Sequence, residues 1–439
     1  MRLSTSQIAA ATGGTLHGPD VDIDSASIDS RSVRRGQLFV PIVAARDGHD
    51  FISAAVESGA SAYLTDRAPD AAVDATAIQV ADTAEALADV GRAVRALLPG
   101  RVVGVTGSVG KTSTKDLLAG VLETTFVTAA SAKSFNNELG LPLTLAGAPD
   151  STEAVVLEMG ARGVGHIAQL CSIASPTVGV LTRVEGVHLE MFGTIEDVAQ
   201  AKGELIDSLP ADGLAVLNAD DPRVAAMASR TSARVLTYGV ENAADVYATD
   251  ITLDDELRAS FTLHSPWGQA PVKLGARGEH QVGNALAAAA AGGGLGVPLD
   301  QIVEGLFAAE LSGLRMEMST TAAGVTIVND AYNANPTSMG AALTALARLD
   351  ASRRYAVLGT MAELGDDSAA AHRSVAKQAL DLGVTVIAVD EPHYGDGVTH
   401  VAGVDGAVAA LSELQRGDAV LVKGSRVAAL ERVADALSE

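Results

Sequence analysis

Apolar residues recur along this chain in two rhythms. Short runs rich in β-branched residues alternate with stretches in which an apolar residue returns every three or four positions. The first rhythm predicts buried strands and the second predicts helices with one apolar face. Up to residue 99, a helix-like opening gives way to short strand-like runs separated by turns. Gln37 to Val43 reads as one apolar strand, and GHDFISAAVESGASAYLT as a helix followed by a strand. Leu87, Val90, Val94 and Leu97 share a helical face over Thr83 to Leu98, and Pro99 ends that helix at a plausible domain boundary.

From about 100 to 312 the strings VVGVT, FVTAA, AVVLEMG, VGVLT, LAVLN and RVLTYG read as strands, with helical stretches such as 111–123 and 194–208 between several of them. Such alternation predicts parallel βαβ units and a doubly wound sheet. Residues 245–275 read as a β-meander, either an insert or an edge, and 280–292 as a helix whose alanines pack closely. From 313 onward two strand-like runs, RMEMST and VTIVND, precede a second alternation. It comprises helix 337–349, strand YAVLG, helix 368–381, strand VTVIAV, helix 405–414, strand AVLVKG and helix 427–437. The expected architecture is therefore three α/β domains, 1–99, 100–312 and 313–439, the last Rossmann-like. The length agrees, because 439 residues exceed what one core organises.

Composition narrows the function. Hydrophobic residues make up 48% and charged ones 19%, a globular balance. With 54 acidic and 31 basic residues the formal charge is −23. That argues against a nucleic-acid partner, whose phosphates need clustered Lys and Arg. A small anion held by a few local cations remains compatible with it. The single cysteine, Cys171, excludes a disulfide framework or a cysteine-based zinc site within the chain. The opening MRLSTSQIAAATGG lacks the apolar core of a signal peptide. The small-apolar run from Ala285 to Val297 falls short of the roughly 20 residues that span a bilayer. The expectation is a cytoplasmic monomer with no membrane insertion.

The strongest chemical signal is VVGVTGSVGKTSTKDLL, a strand, a glycine loop and a helix. Gly107, Ser108, Val109 and Gly110 can wrap backbone N–H groups around a phosphate at a helix N-terminus. Lys111 can reach the β- and γ-phosphates, and Thr112, followed by Ser113, offers a hydroxyl to Mg²⁺. The loop departs from the general G-x-x-x-x-G-K-[ST] form, since Val105 stands at the first glycine position. Glu158 ends a buried-type strand, where an acid can hold Mg²⁺ or simply face solvent. His188, in a glycine-containing loop, and Lys202, within a helix, read locally as a structural histidine and a solvated lysine.

The strings TGSVGKTS, SFNNELGLPLTL, LEMGARGVGHI, HLEMFG, AQAKGE, HQVGNALAA, NDAYNANPTSM and LVKGSR follow one another along the chain. Together they resemble the Mur ligases, from about residue 25 to the C-terminus. AYNANPTSM and FNNELG are most similar to the members that join D-alanyl-D-alanine to UDP-N-acetylmuramoyl-tripeptide. The resemblance implies that Gly107 to Ser113 bind ATP, with Thr112 and Glu158 on one Mg²⁺ and His188 helping to hold a second. It implies that Lys202 carries a carbamate formed with CO₂, which turns a cation into a metal-ligating anion. Lys111, His188 and Lys202 are thus the implied catalytic residues. Asn284 would meet the adenine, Arg315 and Asp330 the phosphate and ribose, and Tyr332 and Asn333 would stand nearby. Ser30 and Arg31 match the uridine diphosphate segment, and Asn136 and Asn137 a substrate-contacting loop. Lys423 to Arg426 matches the segment near the incoming dipeptide.

One departure stands beside the metal residues. The family's threonine-asparagine-isoleucine string is Thr182-Arg183-Val184 here. An arginine there would repel Mg²⁺ unless it points away or pairs with an acid such as Glu185. Three other readings remain on sequence grounds: an amide ligase for another amino acid or for folate, a small-molecule kinase, and a nucleotide-binding scaffold without activity.

Overall fold

Val102, Val103 and Val105 are buried on both faces of their strand, so the run is continuously apolar and does not alternate. The computed structural model describes residues 3–132, 135–186 and 189–438. Among these residues the main sheets have nine, six and five strands. The nine-stranded sheet holds Val102–Thr106 between Ala154–Glu158 and Val178–Leu181. Thr128–Ala130 lies outside Ala154–Glu158, while Leu214–Asn218, Arg234–Gly239 and Val246–Leu253 continue the other side, all parallel. Arg258–Ser265 and Gly268–Arg277 close that side antiparallel, so the expected meander is the edge of the central sheet.

Small residues let three helices approach each other behind the phosphate loop. A Cβ at Gly292, in helix Gln281–Gly294, would meet Val121 of helix Lys111–Glu123 at 2.5 Å. One at Gly305, in Leu299–Ala308, would meet the Val121 backbone at the same distance. This close packing brings the first turn of Gln281–Gly294 to the loop before Lys111.

In the N-terminal part, Ser25–Ser27, Gln37–Phe39, Ala62–Thr65 and Thr76–Gln79 are parallel neighbours, and Thr15–His17 adds an antiparallel edge. The strand expected over Gln37 to Val43 is shorter because Pro41 has no N–H for the ladder. The helix Thr83–Leu97 buries Leu87, Val90 and Val94 in one core with Leu141, Leu170 and Ile173 of the central region. Arg95 Nε also donates to the Ala174 carbonyl at 2.6 Å.

The six-stranded sheet runs Glu317–Thr320, Thr326–Asn329, Ala419–Lys423, Arg354–Leu358, Thr385–Val389 and Thr399–Val401, antiparallel only at the first pair. Two helices differ from expectation. The one expected over 405–414 is Gly403–Ala410. The one expected over 427–437 starts at Glu431, because a 3-10 turn ends at Ala429 in the left-handed region. Among the described residues no helix is long and apolar enough to cross a membrane.

Candidate active site

The carboxyl ends of three neighbouring parallel strands meet at one place, where an open α/β sheet binds its ligands. Val102–Thr106 delivers the glycine loop, Ala154–Glu158 delivers Glu158, and Val178–Leu181 delivers the strap beginning at Thr182. Thr182 Oγ1 donates to the Val109 carbonyl at 2.6 Å, and Ser108 N donates to the Arg183 carbonyl at 2.6 Å. Glu185 N donates to Ser108 Oγ at 2.9 Å. Two glycines permit this shape. Gly107 has φ 149° and faces Thr182 Oγ1 where a Cβ would stand; Gly110 has φ 82° and sits against Asn284 Oδ1.

Lys111 Nζ donates to the Gly107 and Ser108 carbonyls at 2.8 and 3.2 Å. Burial pushes its proton affinity down, Glu158 and Glu363 push it up, and Arg315 adds to the lowering. Thr112 Oγ1 donates to Glu158 Oε2 at 2.7 Å, and Asn136 Nδ2 donates to Glu158 Oε1 at 2.8 Å. Glu158 is only 2% exposed, so both its oxygens are held by donors inside the protein. Lys202 is equally buried. Burial first, and then the charge of Lys111, hold its ammonium well below the usual lysine range.

The third sheet faces this loop across a cavity of about 870 Å³. Lys423 Nζ donates to Asp330 Oδ2 at 2.6 Å and to the Asn333 carbonyl at 2.9 Å. The Arg315 guanidinium lies 4.3 Å from the Tyr332 ring centroid. The linker before Arg315 is tied to the phosphate-loop helix. Ser312 N donates to Asp116 Oδ2 at 2.7 Å, and Asp116 pairs with buried Lys115 at 2.5 Å.

Three family descriptions match the chain. Residues 22–95 match the Mur ligase family catalytic domain, 105–292 the Mur ligase middle domain, and 314–426 the Mur ligase glutamate ligase domain. A Mycobacterium tuberculosis protein named UDP-N-acetylmuramoyl-tripeptide–D-alanyl-D-alanine ligase is 41% identical, with 100% of this chain and 98% of that protein covered. The chain belongs to the Mur ligase family. The solved structure of MurF from Acinetobacter baumannii superposes with TM-score 0.90 at 30% identity, covering 100% and 99% of the two chains. MurF ligase from Thermotoga maritima, in complex with ADP, gives 0.82 at 31% identity, covering 94% and 97%.

Within this Mur ligase, Ser108 to Ser113, Asn136, Glu158, Asn284, Arg315, Asp330, Tyr332, Asn333, Lys423 and Arg426 all border the cavity. Gly107 shapes the loop from behind, and Lys202 lies within electrostatic reach of Lys111. His188 lies outside the described residues. Three expected residues sit elsewhere. Asn137 Oδ1 accepts from Gly140 N at 2.9 Å, capping the helix that follows. Ser30 and Arg31 are in the N-terminal domain, away from the cavity; the Arg31 side chain is 87% exposed and pairs with Asp29 at 2.8 Å. Arg183, the departure from the family string, lies 3.7 Å from Glu185, the acid expected to offset it. Glu363 and Asp116 were not among the expected residues. Their roles come from contacts between distant segments, for which a single sequence carries no local signal.

Proposed function

We propose that this Mur ligase joins D-alanyl-D-alanine to UDP-N-acetylmuramoyl-tripeptide using ATP, in the building of peptidoglycan precursors. The observation that carries this reading is a phosphate-loop cavity faced by a second α/β domain, in a chain aligned end to end with ligases of that name. ADP in the Thermotoga maritima relative supports ATP as the nucleotide. The reaction belongs where ATP is made, in the cytoplasm. One chain carries all three domains, so a monomer suffices.

A carboxylate does not acylate an amine near neutral pH, because oxide would have to leave. Transfer of the γ-phosphoryl group to the tripeptide carboxylate gives an acyl phosphate. The amine then attacks it, and the tetrahedral intermediate expels phosphate. Side chains contribute positioning and charge neutralisation. Lys111 exchanges its loop carbonyls for the β- and γ-phosphates, while the N–H groups from Gly107 to Ser113 cradle them. Asn284, Arg315, Asp330, Tyr332 and Asn333 hold the nucleotide from the other walls, and Lys423 braces Asp330. Arg426 borders the dipeptide, Asn136 the tripeptide, with Asn137 shaping its loop, and Ser30 and Arg31 the uridine diphosphate.

The donors fit Mg²⁺, a hard cation that prefers oxygen. Thr112 and Glu158 are buried together and would hold one ion, and His188 with Lys202 as a carbamate would hold a second. Glu158 alone would offer one carboxylate to two divalent ions, and a carbamate would supply a second anion. Bound Mg²⁺ supplies positive charge against the phosphate oxygens. The neutral form of Lys202, favoured by burial, is the form that reacts with CO₂.

The test is incubation of the purified chain with ATP, Mg²⁺ and UDP-N-acetylmuramoyl-tripeptide, with the third residue either lysine or meso-diaminopimelate. Addition of D-alanyl-D-alanine is expected to yield the UDP-pentapeptide with equimolar ADP and phosphate. Absence of that product with both acceptors would overturn the proposal.

A further inference from the structure

The incoming amine arrives as an ammonium ion and cannot attack until it loses a proton. A second proton leaves the nitrogen during the attack, and a group that receives it stands beside the acyl phosphate, on the wall facing the phosphate loop. Among the described residues, the third domain lines the cavity with two acids, Asp330 and Glu363. Asp330 is braced by Lys423 at 2.6 Å. Glu363 lies on the loop after strand Arg354–Leu358, and that loop is fixed at several points. Tyr394 OH donates to the Gly359 carbonyl at 2.8 Å, and Met361 N donates to His372 Nε2 at 2.9 Å. Ala362 N donates to Ser425 Oγ at 2.9 Å, which joins the loop to the segment carrying Arg426. At its far end, Gly365 N donates to Glu190 Oε1 of the central domain at 3.2 Å.

Met361 and Leu364 are buried on either side, while Glu363 is exposed into the cavity with φ 68°. A side chain with a Cβ strains the backbone in that region, and such strain persists where the surroundings impose it, often at functional sites. Glu363 borders the same cavity as Ser108 to Ser113 of the phosphate loop.

We propose that Glu363 receives the ammonium of the incoming amine and accepts its proton as the nitrogen attacks the acyl phosphate. The identity of that amine, D-alanyl-D-alanine, rests on the reading above. In this step the C–N bond forms and the bond from the acyl carbon to the phosphate oxygen breaks, the oxygen keeping the electron pair. The ammonium loses two protons in becoming an amide N–H: the first goes to water and frees the lone pair before attack, and the second passes to Glu363 as the C–N bond forms and leaves on the phosphate. The nitrogen grows more acidic as the C–N bond forms, so a carboxylate beside it can take this second proton.

Glu363→Gln keeps the size of the side chain and removes its charge. It is expected to lower kcat/KM for D-alanyl-D-alanine on the order of 100-fold. Acyl-phosphate formation is read separately, by positional isotope exchange in ATP with UDP-N-acetylmuramoyl-tripeptide and no dipeptide; it should stay at the wild-type rate. Glu363→Asp should recover part of the ligation. Undiminished kcat/KM for the amine in Glu363→Gln, or isotope exchange lost together with ligation, would overturn the role. A wild-type enzyme that prefers another amine would overturn the dipeptide alone, because Glu363→Gln must then depress kcat/KM for that amine instead.

Discussion

Lys202 shows how a single side chain changes meaning with its surroundings. Within AQAKGE it reads as a solvated helix lysine, yet helix Ile195–Asp207 buries Ala201, Lys202, Gly203 and Glu204 together. Glu204 is occupied with structure: it accepts from Gly165 N and Ala168 N at 2.6 and 2.9 Å, capping the helix His166–Ala174. Lys202 has instead a low-dielectric site beside Lys111, which disfavours its ammonium. Lys202→Ala should therefore lower turnover at least about 100-fold, as loss of a charge-stabilising group does. Short carboxylic acids should restore part of it by occupying the vacated anionic position. Wild-type turnover in Lys202→Ala, measured as ADP release, would rule out the carbamate. The phosphate loop was legible in sequence because its residues are contiguous and its glycine, lysine and threonine have local duties. The burial of Lys202 was not, because it depends on what covers the helix.

At the scale of elements, parallel strands and their helices followed from apolar rhythm, since both faces of the central strands are covered and the runs are unbroken. Elements that end for backbone reasons were less legible, as at Pro41 and at Ala429. Contacts between elements were least so. Asp116 and Ser312 are 196 residues apart, and their bond fastens the phosphate-loop helix to the linker that carries Arg315. Leu314 and Met316, on either side of Arg315, have φ 62° and 53°, so this linker is conformationally tense. Removing Asp116 would also leave buried Lys115 without its carboxylate. Asp116→Ala should cost about 3–5 kcal/mol in urea unfolding, as when one partner of a buried pair is lost. Asp381→Ala, which breaks the exposed pair with Lys377, should cost no more than about 1 kcal/mol. Equal costs would show that the Asp116 pair is not a buried one.

Over the whole molecule, the proposed reading divides the work of the three sheets between a nucleotide-sugar end and a reacting end. The first domain shares a core with the central one through Thr83–Leu97, so its position relative to the phosphate loop is held by packing. On the proposed reading an extended substrate would run from Ser30 and Arg31 to the cavity. Arg31→Ala should raise KM for the UDP-substrate about 10-fold or more, the worth of one charge-assisted hydrogen bond, with KM for ATP little changed. Equal rises in both would move Arg31 out of the substrate site. The central claim is ligation through an acyl phosphate, and the most direct measurement follows oxygen-18 from the terminal carboxylate of the UDP-tripeptide. With both carboxylate oxygens labelled, one label should appear in the inorganic phosphate and the other remain in the new amide carbonyl. Phosphate free of label, released alongside the same amide product, would contradict it.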